Sequence, residues 1–152
     1  MGSEMCIRDR TSGAGEYDPG SVVEISATPQ TGYSFTNWSG NGPNDVNEAN
    51  TSINLSSDLN LTANFAINSY GLVISSSAGG STSGSQTYDH GTIATVSASP
   101  QTGYFFSGWS GTGITNPSSP QTTILMTEDR NLAATFTPYS YTLSVLLRRV
   151  VT

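Results

Sequence analysis

Lysine is absent from the 152-residue sequence, and cysteine and histidine occur once each, as Cys6 and His90. No disulfide framework can be drawn from a single cysteine, and no zinc-ligand spacing or Ser/His/Asp set is present. Charged residues make up only 11% of the chain, five arginines against eleven carboxylates, for a net charge of −6. That sign repels phosphate backbones and anionic lipid, so neither nucleic acid nor an anionic membrane surface is the expected partner. No apolar run approaches the ~20 residues that span a bilayer, so no membrane insertion is expected of this stretch. The N-terminus has no hydrophobic stretch of signal-peptide type. Strong helix formers are also scarce, because Ser, Thr, Gly and Asn dominate. The apolar share of 35% and aromatic share of 9% are nonetheless too high for a disordered chain. Short runs of Val, Ile, Thr, Tyr and Phe, broken by Gly, Pro and Asn, indicate strands and turns.

These runs recur. Offset by 71 residues, segment 11–66 aligns with 82–137 without a gap, and 25 of the 56 pairs are identical. PQTGY at 29–33 returns at 100–104, and Trp38-Ser39-Gly40 returns as Trp109-Ser110-Gly111. Tyr17-Asp18 with Gly20 recurs as Tyr88-Asp89 with Gly91, and Asn60-Leu61 with Phe65 recurs as Asn131-Leu132 with Phe136. Ser69-Tyr70 and Leu72 reappear as Ser140-Tyr141 and Leu143. A period of this length defines tandem small modules.

The fuller copy reads as strands at 70–76, 86–89, 92–99, 104–110, 121–127 and 131–137, with a flexible Gly/Ser loop at 78–85. Ala94, Val96 and Ala98 alternate onto one face, as do Val23, Ile25 and Ala27 in the first copy. Ile124, Met126, Leu132, Ala134 and Phe136 are expected to face inward. The candidate core residues are Tyr33, Phe35, Trp38 and Phe65, with their counterparts Tyr104, Phe106, Trp109 and Phe136. A small module without disulfides has little else large enough to fill its interior. Phe106 and Trp109 are three apart, which places them on opposite faces of a regular strand, so a β-bulge is expected near Gly108. Asp58–Leu59 and Glu128–Arg130 are the only candidates for a helical turn.

Both ends depart from the repeat. Residues 1–10 (MGSEMCIRDR) stand in register with Leu72 to Ser81 and share nothing with them. The hexapeptide MCIRDR resembles the conceptual translation of a transposon end used in preparing sequencing libraries, so 1–10 is expected to be non-native. LLRRVV at 146–151 stands where SSSAGG stands at 75–80. Codons for the first, read one base earlier, can spell the second, so 146–152 is expected to be a frameshifted tail. The resulting organisation is repeat 1 at 11–66, lacking its first strand, repeat 2 at 69–138, and the opening strand of a third copy at 139–145. The segments 66–69 and 137–140 read as short linkers.

A strand ending in A-x-P, then G-Y-x-F-x-x-W-S-G, a variable loop and a closing strand ending in A-x-F resembles the bacterial repeat domain related to the internalin B-repeat. The first copy supplies Ala27, Pro29, Gly32, Tyr33, Phe35, Trp38, Ser39, Gly40, Ala63 and Phe65. The second supplies Ala98, Pro100, Gly103, Tyr104, Phe106, Trp109, Ser110, Gly111, Ala134 and Phe136. The resemblance implies an all-β chain of small β-grasp-like modules, with the helix absent or reduced to one short turn. It also implies a place in tandem arrays of large exported or cell-surface bacterial proteins, as a spacer or adhesion module without enzymatic activity.

The remaining candidates for chemistry are weak. His90 is matched by Pro19 in the first copy, which favours a turn position over a ligand or catalytic base. Asp45 and Glu48 in the loop NGPNDVNEAN (41–50) form an oxygen-rich set suited to Ca²⁺, but the counterpart loop has no carboxylate. Neither metal nor cofactor is therefore expected. The acceptor patterns beginning at Asn37, Asn50, Asn54 and Asn60 are ordinary in so Asn-, Ser- and Thr-rich a chain. The expected partners are neighbouring repeats of the same chain. The alternative is an adhesion module that binds host protein or glycan through the variable loops 41–50 and 112–121.

Overall fold

Strand runs and turn residues alternate closely enough that twelve strands and no helix form among residues 10–146, those described by the computed structural model. Two compact units result. The first groups the chain up to Tyr70 with Tyr88–Thr92 and Met126–Glu128, and the second holds Gly71–Thr87, Ile93–Leu125 and the chain from Asp129.

In the first repeat the strands are β1 (Arg10–Ser12), β2 (Val22–Thr28), β3 (Tyr33–Ser39), β4 (Asn50–Asn54) and β5 (Thr62–Ile67). The alternation of β2 sends Val23, Ile25 and Ala27 inward, each under 7% exposed, and Ile53 of β4 joins them. The sheet order is β1-β2-β4, antiparallel throughout, with a separate antiparallel pair β3-β5. Trp38 of β3 closes this core, with Phe35, Leu55, Leu59, Leu61, Ala63 and Phe65 packed half-buried against it.

The second repeat contributes β6 (Ser69–Ser76), β7 (Gly80–Ser83), β8 (Gln86–Asp89), β9 (Ile93–Pro100), β10 (Tyr104–Ser110), β11 (Gln121–Leu125) and β12 (Arg130–Pro138). Its sheets have the orders β11-β9-β7 and β10-β12-β6-β8. Strand β6 runs parallel to β12, in the register Leu72 opposite Arg130 and Ile74 opposite Leu132. That parallel pairing joins the first and last strands of the repeat, while β10-β12, β11-β9 and β7-β9 are antiparallel, in keeping with the β-grasp-like module implied by the resemblance. Counterparts of β6 and β8 do not occur in the first repeat among the described residues.

Several expectations need correction. The segment 78–85 is not simply a loop, because Gly80–Ser83 forms β7 and pairs antiparallel with β9. Arg10 opens β1 opposite Thr28, so position 10 takes part in the fold. The rest of the amino-terminal segment, 1–9, and residues 147–152 lie outside the described residues. Segment 139–145 forms no strand. Neither candidate helical turn forms: Arg130 opens β12, and 58–59 is irregular. The linker at 66–69 shrinks to Asn68 between β5 and β6, and the one at 137–140 to residues beyond Pro138.

The Trp-Ser-Gly signature has a backbone cause. Gly40 and Gly111 sit at φ of 115° and 127°, where a Cβ would lie 2.6 Å from the Asn60 carbonyl oxygen and 2.7 Å from that of Asn131. A side chain would meet both backbone strain and a fixed atom, so the position must be glycine. The parity problem of the same strand is resolved by a break in register between Phe106 and Gly108, which returns Trp109 to the inner face. The same break lies between Phe35 and Asn37 in β3.

Candidate functional site

The two loops that follow the tryptophan strands, 41–50 and 112–121, are both built around the indole ring. Trp38 is 4% exposed and Trp109 6%, so neither ring offers a platform for a sugar. Each instead packs at a tilt against its neighbouring phenylalanine, Phe35 at 5.7 Å and Phe106 at 5.6 Å between ring centres. Those phenylalanines meet Phe65 and Phe136 edge-on at 5.9 and 6.0 Å. Phe136 is buried, while Phe35, Phe65, Tyr104 and Phe106 are half-buried. Tyr33 departs from the expected core. It is 38% exposed, because it pairs with Ile67 at the end of a two-stranded sheet, where Ile67 is 40% exposed too.

The indole N–H groups tie the loops down. That of Trp38 donates to the Glu48 carbonyl at 3.0 Å, and that of Trp109 donates to the Ser119 carbonyl at 2.9 Å. The backbone amides of the same residues donate to Val46 and Pro117 at 2.7 and 2.8 Å. The Asp45 amide donates to the hydroxyl oxygen of buried Thr51 at 3.1 Å, and the Asn116 amide to that of Thr122 at 3.0 Å. The Asp45 carboxylate accepts the Asn47 amide at 2.9 Å, and the Asn116 side-chain oxygen accepts the Ser118 amide at 3.1 Å. Asn44 and Thr115 complete the match by donating their amides to the carbonyls of Ser52 and Thr123.

Loops that share hardly a residue are therefore held by one hydrogen-bond skeleton. On the loop side it is made mainly of backbone amides and carbonyls, which any residue can supply, while the indole and the threonine hydroxyl that hold them are the same in both repeats. Thr51 and Thr122 were not singled out from the sequence, and their identity across the repeat was the available signal. Asp45 and Glu48 fall into place within this skeleton. The Asp45 oxygen does the work that an asparagine amide oxygen does in the sister loop, and Glu48 contributes its main-chain carbonyl. Asp45→Asn combined with Glu48→Asn is expected to change stability by less than ~0.5 kcal/mol. Added Ca²⁺ should leave the melting temperature unmoved, since a cation that bound only the folded chain would raise it. Thermal melts with Ca²⁺ and with chelator check both.

His90 lies in the turn between β8 and β9. Its amide donates to the Asn68 carbonyl at 2.7 Å, and its ring stands edge-on to Tyr70 at 5.9 Å.

A feature that no motif announces is a cavity of about 350 Å³ in the first repeat, lined by the apolar side chains of Ile25, Trp38, Ile53, Leu59 and Leu61 and equally by polar groups, Thr11, Ser12, Tyr17 and Asn60 among them.

The geometry defines a class first: a tandem array of all-β modules in which a buried Trp-Ser-Gly strand anchors a loop of free composition. A model of the divergent InlB B-repeat domain matches the chain twice, over residues 9–69 and 70–140, and the chain belongs to that family. No curated protein and no solved structure was found to match it. Repeats of this type are generally found in surface or secreted bacterial proteins.

Proposed function

We infer that the chain is a spacer segment of a large exported or cell-surface bacterial protein, its repeats serving as folded length between other parts and carrying no enzymatic chemistry. The observation behind this reading is the shared skeleton of the two loops. A loop selected to bind would fix particular side chains at its tip, whereas these keep the backbone hydrogen bonds and let the side chains drift. The burial of both tryptophans removes the aromatic surface on which carbohydrate recognition would rest. The chain lacks lysine and carries an exterior of Ser, Thr and Asn, which suits a location exposed to proteases. Its regular partners are neighbouring repeats of the same polypeptide.

The test sets the full chain beside a variant in which residues 41–50 are exchanged for 112–121, on a glycan array and on immobilised host matrix proteins. Background signal from both, with equal melting temperatures, is the expected outcome. Saturable binding by the parent that the exchange abolishes would establish the adhesion reading in its place.

A further inference from the structure

The first compact unit includes two pieces that the repeat register gives to the second copy, Tyr88–Thr92 and Met126–Glu128. The first piece carries the turn Asp89-His90-Gly91. Thr92 donates its amide to the Asp89 carbonyl at 3.1 Å, and Gly91 sits at φ 81°. Asp18-Pro19-Gly20 is the same turn in the first copy, with the Ser21 amide donating to Asp18 at 3.1 Å and Gly20 at φ 85°. A glycine at positive φ in the third place matches a type II turn, whose second place favours proline. Pro19 is therefore the ordinary residue there, and His90 is the departure.

The contacts of His90 account for it. Its amide donates to the Asn68 carbonyl at 2.7 Å, a bond for which proline has no hydrogen. Its ring lies on Gly32, where a Cβ would run into the imidazole, and stands edge-on to Tyr70 at 5.9 Å. Asn68 is also held from the first repeat. Its amide donates to the Gly32 carbonyl at 2.8 Å, and its side-chain oxygen accepts the Ser34 hydroxyl at 2.6 Å. Beside it the Ser69 hydroxyl donates to the Asp89 carboxylate at 2.8 Å. The turn itself is braced by second-repeat residues, since the Gly91 amide donates to Met126 at 2.7 Å and the Met126 amide to Thr92 at 2.9 Å. We propose that Asp89-His90-Gly91 is an inter-repeat docking turn, received by Gly32 and Asn68 of the preceding repeat, and that histidine in place of proline makes it competent to dock. The dock adds a nearest-neighbour term to the stability of the first repeat, as interfaces do in repeat arrays. It holds whether the repeats space or bind, so its test is separate from that of the loops.

Hydrogen exchange on the full chain reads the dock. His90→Pro keeps the turn, as Pro19 does, and removes both the ring and the amide. The Tyr33 and Asn68 amides, which donate to Gln30 and Gly32, should lose about tenfold in protection while β9 and β11 keep theirs. A pair of glycines supplies the control. Gly32 and Gly103 occupy one place in the repeat, at φ of 87° and 89°, but among the described residues a Cβ at Gly103 would meet nothing within 4 Å. Alanine thus brings the same backbone strain to both and a collision to Gly32 alone. Gly32→Ala should lower protection at Tyr33 further than Gly103→Ala lowers it at Tyr104, whose amide donates to Gln101 in the same way. In the His90→Pro background that excess should vanish. Three results would overturn the proposal: unchanged protection at Tyr33 and Asn68 in His90→Pro, an equal loss across β9 and β11, or equal effects of the two glycine substitutions.

Discussion

Trp109→Ala is expected to unfold the second repeat, a loss of about 3–5 kcal/mol in a module whose whole stability is of that order. Three contributions add. The ring is 6% exposed, so its removal opens a cavity in a core that consists otherwise of Ala, Val, Ile, Leu and Met side chains and two phenylalanines. Phe106 loses its tilted neighbour at 5.6 Å and with it part of the support for its contact with Phe136. The Ser119 carbonyl loses its donor, and with it the anchor that seats loop 112–121 on the sheet. Trp109→Phe separates the last effect from the first two. It keeps an aromatic ring, and the lost indole hydrogen bond should cost ~1–3 kcal/mol without unfolding. Hydrogen exchange across β9, β10 and β12 reads both variants. Protection of β10 and β12 in Trp109→Ala equal to that of the parent would place the ring outside the core.

Much of this arrangement is legible in the sequence because the second repeat restates the first. Val23, Ile25 and Ala27 recur as Ala94, Val96 and Ala98 in the same phase, which settles which face of β2 and β9 is inward. The three-residue gap between Phe106 and Trp109 conflicts with strand parity, and that conflict locates the bulge. Strand β7 leaves no such trace. Gly80-Ser81-Thr82-Ser83 has no apolar alternation, and it is a strand because β9 presents an edge to it. Its first residue is glycine because a Cβ there would fall 2.3 Å from the Phe136 ring. Tyr33 and Tyr104 occupy one place in the motif but differ in burial, since a motif records spacing and not what lies above a ring. Gly79 packs over Tyr104 closely enough that a Cβ would come within 2.2 Å of the ring. The loops mislead in the opposite direction. Their sequences look unrelated, while their folds agree through amides and carbonyls that no sequence pattern displays.

Supplying the first repeat with its own opening strand should produce the largest gain in stability open to this chain. The graft replaces residues 1–10 with Tyr70–Ser81, joined to Thr11, which sets the new Leu72- and Ile74-like side chains opposite Leu59 and Leu61 in the register seen on β12. Leu72 is fully buried where it stands and Ile74 half-buried, so the two bring the larger part of ~1.5–3 kcal/mol each. The added strand is also expected to cover Leu55, Leu61, Ala63 and Phe65, whose counterparts in the second repeat are buried. Ordering the strand backbone opposes this at ~1–2 kcal/mol per residue, which the new ladder hydrogen bonds and the added apolar burial offset. A net gain of about 2 kcal/mol is expected, a rise of roughly thirtyfold in amide protection across β2, β4 and β5. Protection in the second repeat should stay as it was. Segment 15–18 should become a strand, because its partner would then be present, as β8 has β6. A first repeat already as protected as the second before grafting would show that its core is complete without the strand.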